Sequence, residues 1–588
     1  MRIGIDFDRV IFDTENFDEY FKNNTGLYHV EESVYDSNGN YSPEKHAEKC
    51  GINVETVYNA LSDLSNFLYE DIRNLSELEG HQLVLVTRGR ERFQEKKVEA
   101  SGAKKLVDSV EYIESGSKDE AGIDVLIDDR EAEIERAEVP GFVFDRQNHD
   151  AEDIIDFIRA EEVFNRYDVR GYYPEQINES FAADFGKAIG SFLLENDSTK
   201  LVVSRDNKES SEELKPAFIE AVRSTGIDVV DVGVGPADYA AFSGVKEQSH
   251  AVEVTSSHLP LDTNGFKMMY PEGNGFINED LNRIKQIFRK KNFEEGNGEL
   301  IETSYREEYV TEALELFEQI KDRSEGKIVY ESMGGAGSVF VPDLLRQAGF
   351  EVNELSEEHS RPHIDPPNPK PELLRHVETE VEETDADMGL ANDMDADRVA
   401  LYYDGEWIDG NTLFALFTQL IRPERMVASI DTSQVVEDSF DGQIRYTRVG
   451  DPFVIDETIN FEAALSGEPN GHYCFTQFVP YNSGTLAALL LAGTDLEKRL
   501  ADIPEFYNLR KAIQVEEKNS KMEGIVQEAS ELFEVISEAD GVCYRTEDAR
   551  VLIRPSGSSP KIRAIADANS QQAAQKALDE AIELIENA

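Results

Sequence analysis

The chain has 588 residues, 40% of them hydrophobic and 9% aromatic, with 119 acidic residues against 58 basic ones and a formal net charge of −61. That length predicts roughly four domains, and the lack of any basic stripe argues against DNA, RNA or anionic lipid as partners. The acid is spread along the chain, as in EVEETDADM at 380–388, so it reads as a solvated surface suited to a salt-rich cytoplasm and not as an acidic tail.

Residues 1–150 alternate strand and helix. RIGID (2–6), QLVLVT (82–87) and DVLID (124–128) are expected strands between acidic helical stretches, which predicts a parallel, doubly wound sheet. About 60 residues separate the first two strands, too many for a simple crossover, so a small helical insert is expected. HDAEDIIDFIRAEEVFNR (149–166) predicts a polar helix, and the acidic segment 147–162 reads as a solvated connector to a second α/β region. There KLVVS (200–204) and DVVDVG (228–233) are strands, and SSEELKPAFIEAVRSTG (210–226) predicts a helix opened by a capping box from Ser210 to Glu213. The same grammar returns at KIVYES (327–332), a Gly-rich turn, SVFVPDLLRQAG (338–349) and EVNEL (351–355). It returns again from MVASI (426–430) through RYTRVG (445–450) to AALSG (463–467), so three related α/β domains are expected. The end differs, with strands at VCYRT (542–546) and KIRAIADA (561–568), then a helix with Ala574, Leu578, Ile582 and Ile585 on its apolar face. Cys50, Cys474 and Cys543 show neither metal spacing nor pairing, which fits a reducing compartment and makes the cytoplasm the expected location. Asp6 interrupts any signal-peptide core, and the longest apolar stretch, TLAALLLAG (485–493), is far short of a membrane span.

Four constellations carry chemistry. TSSHLP (255–260) follows the strand AVEVT and precedes NGFKMMY (264–270), placing a Ser–His pair in a loop. DMDADR (393–398) sets Asp393, Asp395 and Asp397 at alternate positions of an extended loop, where their carboxylates can surround a hard cation. SGEPNGH (466–472) is a Gly-bracketed turn whose Glu468, Asn470 and His472 suit vicinal hydroxyls. RPSGSSPKIR (554–563) lies in an acid-free basic stretch of an otherwise acidic chain, a composition suited to cradling phosphate.

In this order the four resemble the α-D-phosphohexomutases, the phosphomannomutase/phosphoglucomutase family, over residues from about 162 to 588. FNRYDVRG (164–171), VVSRDNKESS, MGGAGS (333–338) and PNPKPELL (367–374) extend the resemblance. It implies three α/β domains (159–302, 303–404 and 405–508) around a cleft, closed by a smaller α+β domain (509–588). It further implies that Ser257 carries the phosphoryl group and that Mg²⁺ is held by Asp393, Asp395, Asp397 and the phosphoserine. Arg170 and Arg398 would contact that phosphoserine, and Lys267 or His258 would move the sugar hydroxyl proton, the lysine needing a depressed pKa to do so. Arg554, Ser556, Gly557, Ser558 and Arg563 would grip the phosphate that is not reacting. The implied substrates are hexose 1- and 6-phosphates, with a hexose 1,6-bisphosphate intermediate and activator. The oligomeric state is left open. Leu259 replaces the family's usual Asn, Met394 and Ala396 its small glycines, Pro452 an Arg, and Ser558-Ser559 its Thr-Glu. The substitutions at 394 and 396 suggest backbone angles open to any residue.

The N-terminal region, 1–158, resembles the haloacid-dehalogenase-like phosphatases with a Rossmann-like sheet. IDFDRVIFDT ends a strand in Asp6 and Asp8, QLVLVT ends in Thr87, and DVLIDD ends in Asp128 and Asp129. The resemblance makes Asp6 the nucleophile, Asp8 a general acid/base, Thr87 a phosphate ligand, and Asp6, Asp8, Asp128 and Asp129 the Mg²⁺ site. Lys118 is the first candidate for the phosphate-binding lysine, with Lys96, Lys97, Lys104 and Lys105 as rivals. The leading expectation is a mannose/glucose phosphomutase with a fused phosphatase-like domain. A phosphoglucosamine mutase is the alternative within the same chemistry, although SGEPNGHY resembles the phosphomannomutase version slightly better. The others are a sugar-phosphate phosphatase whose mutase part only binds substrate, and a non-catalytic binding protein.

Overall fold

The first apolar run, RIGI, forms the strand Arg2–Ile5 at the centre of a parallel five-stranded sheet. Its neighbours are Gln82–Arg88 and Val125–Asp128, with Ser109–Ile113 and Gly141–Val143 at the edges. The computed structural model describes residues 1–28, 34–78, 80–165, 167–356, 362–515, 518–556 and 561–587. The chain divides into two compact units, Met1–Glu162 and Val163–Ala588.

In the first unit, helices cover the parallel sheet because its strands are apolar on both faces, as in the five buried residues of Gln82–Arg88. Among the described residues the expected insert is present as the helices Thr14–Thr25, Pro43–Cys50 and Val54–Asn59, with 3₁₀ segments that include Ser65–Phe67 and Glu70–Glu77. Asp13 caps the first by accepting from Asn16 N, and Gly26 ends it at φ +75°. The segment 147–162 is not a solvated connector. It contributes the helix Ala151–Val163, which buries Ile154, Ile155, Phe157 and Ile158 in the core of the first unit. Its hydrophobic stripe outweighs its acidic composition, and Asp71 holds its N-terminus through Ala151 N at 2.8 Å.

The second unit contains three sheets built to one plan. Each has three parallel strands beside two antiparallel-paired ones; the second and third sheets run in spatial order 2-1-3-4-5, whereas in the first the outermost strand, Asp168–Tyr172, comes first in the chain. The first orders Asp228–Val234, Lys200–Arg205, His250–Val254, Thr263–Met269 and Asp168–Tyr172, with Leu300–Glu302 added at one edge. The second orders Glu351–Glu354, Lys327–Glu331, Met388–Ala391, Ala400–Tyr403 and Glu406–Ile408. The third orders Gln443–Thr447, Arg425–Ser429, Leu465–Gly467, Tyr473–Phe475 and Val479–Asn482. The fifth sheet of the chain is wholly antiparallel, with the helices Lys518–Leu532 and Gln571–Asn587 beside it. Ala574, Leu578 and Ile585 of the last helix are buried and Ile582 is partly so.

The chain reverses from parallel to antiparallel between the spatially third and fourth strands of each of these three sheets. That one position carries Ser257 in the first sheet, Asp393–Asp397 in the second and Glu468–His472 in the third. The capping box at Ser210 does not form. The helix starts earlier, at Glu209, because the Asp206 carboxylate takes Lys208 N at 2.9 Å, while Ser210 and Ser211 accept from Asn264. Among the described residues no helix is long and apolar enough to cross a membrane.

Candidate active site

A cavity of about 660 Å³ in the second unit is lined by Arg170, Ser257, His258, Lys267, Asp397, Arg398, Glu468, Asn470, His472, Arg554, Ser556 and Arg563. Residues from all four expected domains meet there. Gly557 and Ser558 of the phosphate loop lie outside the described residues.

Ser257 is buried at φ +51°, a left-handed angle rare for a residue with a Cβ, and its N–H is taken by Thr255 Oγ1 at 2.8 Å. Its hydroxyl lies 3.3 Å from His258 Nδ1. Burial, with Arg398 and Arg170 nearby, lowers the His258 pKa to about 2, so this imidazole is neutral. Arg170 is fixed through Nε to Asp168 at 2.6 Å, while its Nη1 is buried without a hydrogen-bond partner.

Asp393, Asp395 and Asp397 are fully buried and present carboxylate oxygens within 4.8 Å of one another. They gather on a turn and not on an extended loop. Ala396 N bonds Asp393 O at 3.2 Å, and Ala396 has φ +52°. The substitution of a family glycine at 396 therefore does not open the backbone to ordinary angles; the alanine adopts the glycine-favoured one. Asp393 Oδ2 and Asp395 Oδ1 have no hydrogen-bond partner, and an oxygen-only set with orphaned buried lone pairs fits a hard divalent cation. Lys267 Nζ stands 2.6 Å from Asp395 and 2.5 Å from Asp397. Burial opposes its charge, but these two carboxylates outweigh it and hold the pKa well above the ordinary lysine value. The depressed value required of a basic Lys267 is therefore contradicted.

Arg398 and His472 pair as a β-bridge, joining the Asp393–Asp397 turn to the Glu468–His472 turn. His472 Nε2 is 3.1 Å from Asp397 and Nδ1 is 3.4 Å from Glu468. Burial alone would discharge this imidazole, yet Asp397 raises it to about 10. Glu468 Oε1 accepts Gly450 N at 2.9 Å and Asn470 Oδ1 accepts His472 N at 3.2 Å, which fixes the turn. Arg554 pairs with Asp540 at 2.6 Å. Sequence reasoning missed Lys208, buried with Nζ 2.9 Å from Ser256 Oγ. It lies in SRDNKES, but nothing local marks a contact made 48 residues away.

The first unit holds a second cluster at the carboxyl edge of its sheet. Lys118 Nζ, fully buried, bridges Asp6 (2.6 Å) and Asp128 (2.5 Å), and the two carboxylates keep it charged against burial. Burial, with Asp128 and Asp8 nearby, raises Asp6 to about 7 despite Lys118. Asp6, Asp128 and Asp129 present oxygens within 4.8 Å, a set able to hold a cation, and Asp129 also meets Arg9 at 3.3 Å. Asp8 is not in that set. Its carboxylate turns to Lys97 (2.5 Å) and Thr14 (2.8 Å), which correct its expected metal role. Thr87 Oγ1 is buried without a partner. Among the rival lysines, Lys96 pairs with Glu99 at the surface, and Lys104 and Lys105 are exposed. A cavity of about 330 Å³ opens over Asp6 and Asp8, lined by Phe17, Phe21, Tyr35 and Tyr41 of the insert.

Four domain families match the chain in order. They are phosphoglucomutase/phosphomannomutase alpha/beta/alpha domain I over residues 161–295, domain II over 307–406, domain III over 409–508, and the C-terminal domain over 512–584. A relative from Thermococcus kodakarensis named phosphoglucomutase/phosphomannomutase is 31% identical over 457 residues, spanning 72% of this chain and 99% of its own length. Another, from Thermococcus gammatolerans and named "Probable phosphoglucosamine mutase", is 29% identical over 447 residues, 72% of this chain and 98% of its own. A solved phosphoglucomutase/phosphomannomutase family protein from Burkholderia thailandensis shares the fold with a TM-score of 0.65 at 24% identity, over 73% of this chain and 98% of that one. The chain belongs to the phosphoglucomutase/phosphomannomutase family, the phosphohexomutases, through all four of that family's domains.

Proposed function

We propose that the second unit interconverts hexose 1-phosphate and hexose 6-phosphate through a phosphoserine at Ser257, with mannose or glucose as the sugar. The observation carrying this reading is that residues from four domains line one cavity, with Ser257, Asp397, Arg554, Ser556 and Arg563 among them. When bound at Asp393, Asp395 and Asp397, Mg²⁺ supplies positive charge against the phosphoryl group in transit. The chain's own residues do the rest. Arg170 and Arg398 face the phosphoserine, Glu468 and Asn470 orient sugar hydroxyls, and Arg554, Ser556 and Arg563 hold the non-reacting phosphate. His258 is the neutral group beside the Ser257 hydroxyl and Lys267 an ammonium that offers hydrogen bonds, while the proton of the attacking sugar hydroxyl ends on the Ser257 oxygen that the phosphoryl group leaves. The phosphoryl group passes from Ser257 to the free hydroxyl, giving a 1,6-bisphosphate, and the other phosphate then returns to Ser257. Relatives carry both phosphomannomutase and phosphoglucosamine mutase names. A coupled assay with mannose, glucose and glucosamine 1-phosphates plus Mg²⁺ decides the sugar; no turnover of any of them overturns the reading.

For the first unit the reading is a Mg²⁺-dependent phosphatase of the haloacid-dehalogenase type, located with the mutase in the cytoplasm. Support comes from the parallel sheet whose strands deliver Asp6, Thr87 and Asp128 to one edge, and from Lys118 between two of the carboxylates. Asp6 would attack phosphorus and release the alcohol, and water would then hydrolyse the aspartyl phosphate. The cavity of about 330 Å³ suits a small ester. Release of phosphate from a panel of small esters tests it.

A further inference from the structure

A cluster outside both sites has the makings of another metal centre. Glu331 ends the strand Lys327–Glu331 with a fully buried carboxylate. Its Oε1 accepts Met333 N at 2.5 Å and the Ser356 hydroxyl at 2.5 Å, which fixes the carboxylate and leaves Oε2 for other partners. His376, in the first turn of the helix Arg375–Thr384, brings Nε2 to 2.8 Å from Oε2. His363 approaches the same oxygen, also through Nε2, at 3.8 Å. The three donor atoms lie within 4.8 Å of one another.

A hydrogen bond explains His376 alone. The His363 distance is too long for one but suits two ligands of a common ion. Both imidazoles are about half exposed, 48% and 41%, so an ion has a way in and a side open to water. We propose that Glu331, His363 and His376 bind a divalent transition metal of the Zn²⁺ class. Two imidazole nitrogens and one carboxylate favour such a metal over Mg²⁺, whereas the three aspartates of the mutase site, all oxygen, favour Mg²⁺. The site also reaches the chemistry indirectly. Asp365, two residues from His363, accepts Leu261 N at 3.0 Å, and Leu261 lies in the loop that carries Ser257. Metal held by His363 steadies the segment on which the phosphoserine loop leans.

The test is equilibrium dialysis of the full chain, stripped with EDTA, against Zn²⁺ with Mg²⁺ in large excess. One Zn²⁺ per chain is expected, with a rise in melting temperature as the ion binds the native state. H363Q and H376Q should each weaken binding by about tenfold or more and abolish that rise. H363Q changes a half-exposed side chain, and an unchanged circular dichroism spectrum verifies its fold. No Zn²⁺ bound against excess Mg²⁺, or undiminished affinity in H363Q, would overturn the site.

Discussion

Tyr309 donates its hydroxyl to the buried carboxylate of Asp238 at 2.6 Å, and the Ser483 hydroxyl donates to the same oxygen, Oδ2. Asp238 lies in the first mutase domain, Tyr309 in the second and Ser483 in the third, so three domains meet on one oxygen. One residue earlier, Ala237 N bonds the Asp395 carbonyl at 2.9 Å. The start of the helix Ala237–Glu247 thus braces the aspartate turn.

Burial raises Asp238 to about 7 from 3.8, despite these bonds. The folded form therefore binds the proton more tightly than the unfolded chain. Its contribution to stability is fully present below the unfolded value and is lost as pH rises through about 7. Asp238→Asn keeps an oxygen for Tyr309 and Ser483 but cannot ionise. Relative to wild type, the variant should gain stability between about pH 4 and 7, by on the order of a few kcal/mol at about 1.4 kcal/mol per pKa unit. Melting curves of both proteins across that range check this; a difference constant with pH contradicts it.

Lys267 is the ammonium between Asp395 and Asp397. Lys267→Met fills similar volume but leaves buried carboxylates uncompensated, a loss of roughly 3–5 kcal/mol. Its melting temperature in EDTA should fall well below wild type, and Mg²⁺ should restore more of it than in wild type. Equal responses to Mg²⁺ in the two proteins would show that Lys267 does not share the charge of the metal loop.

The order of the motifs and the strands VVS, VYE and AS was legible because each is a short apolar run beside a turn, a pattern that local chemistry dictates. Ser257, Asp393 and Glu468 could be picked out as loop residues for the same reason. What the residues did not reveal is that all three loops occupy the same reversal in three sheets, since strand pairing is set by contacts distant in sequence. The turn at Ala396 was misread because alternate carboxylates suggest an extended chain, whereas crowding around one point bends it. The helix Ala151–Val163 was misread because acid content hid its apolar face, where Ile154, Ile155, Phe157 and Ile158 are buried.

The net charge of −61 makes a salt prediction. The Debye length falls to about 3 Å at 1 M, so self-repulsion of the acidic surface is screened. Melting temperature and mutase activity should both rise as KCl increases into the molar range. A melting temperature independent of KCl would count against a salt-adapted surface.

Asp6→Asn in the full chain should stop release of phosphate from small esters and leave hexose-phosphate turnover unchanged. Asp6 and its partners Lys118 and Asp128 lie wholly within Met1–Glu162, and the mutase cavity wholly within Val163–Ala588. Loss of mutase activity in this variant would show that the two sites are not independent.

The central claim is that Ser257 carries the phosphoryl group, and phosphate mapping tests it most directly. The native chain, incubated with a hexose 1,6-bisphosphate and Mg²⁺, should gain one phosphate by intact mass, and peptide mapping should place it on Ser257. Ser257→Ala should carry none, fold normally and lose mutase turnover by several orders of magnitude, because a loop hydroxyl adds little to a core. Phosphate on another residue, or full turnover by Ser257→Ala, would contradict the account.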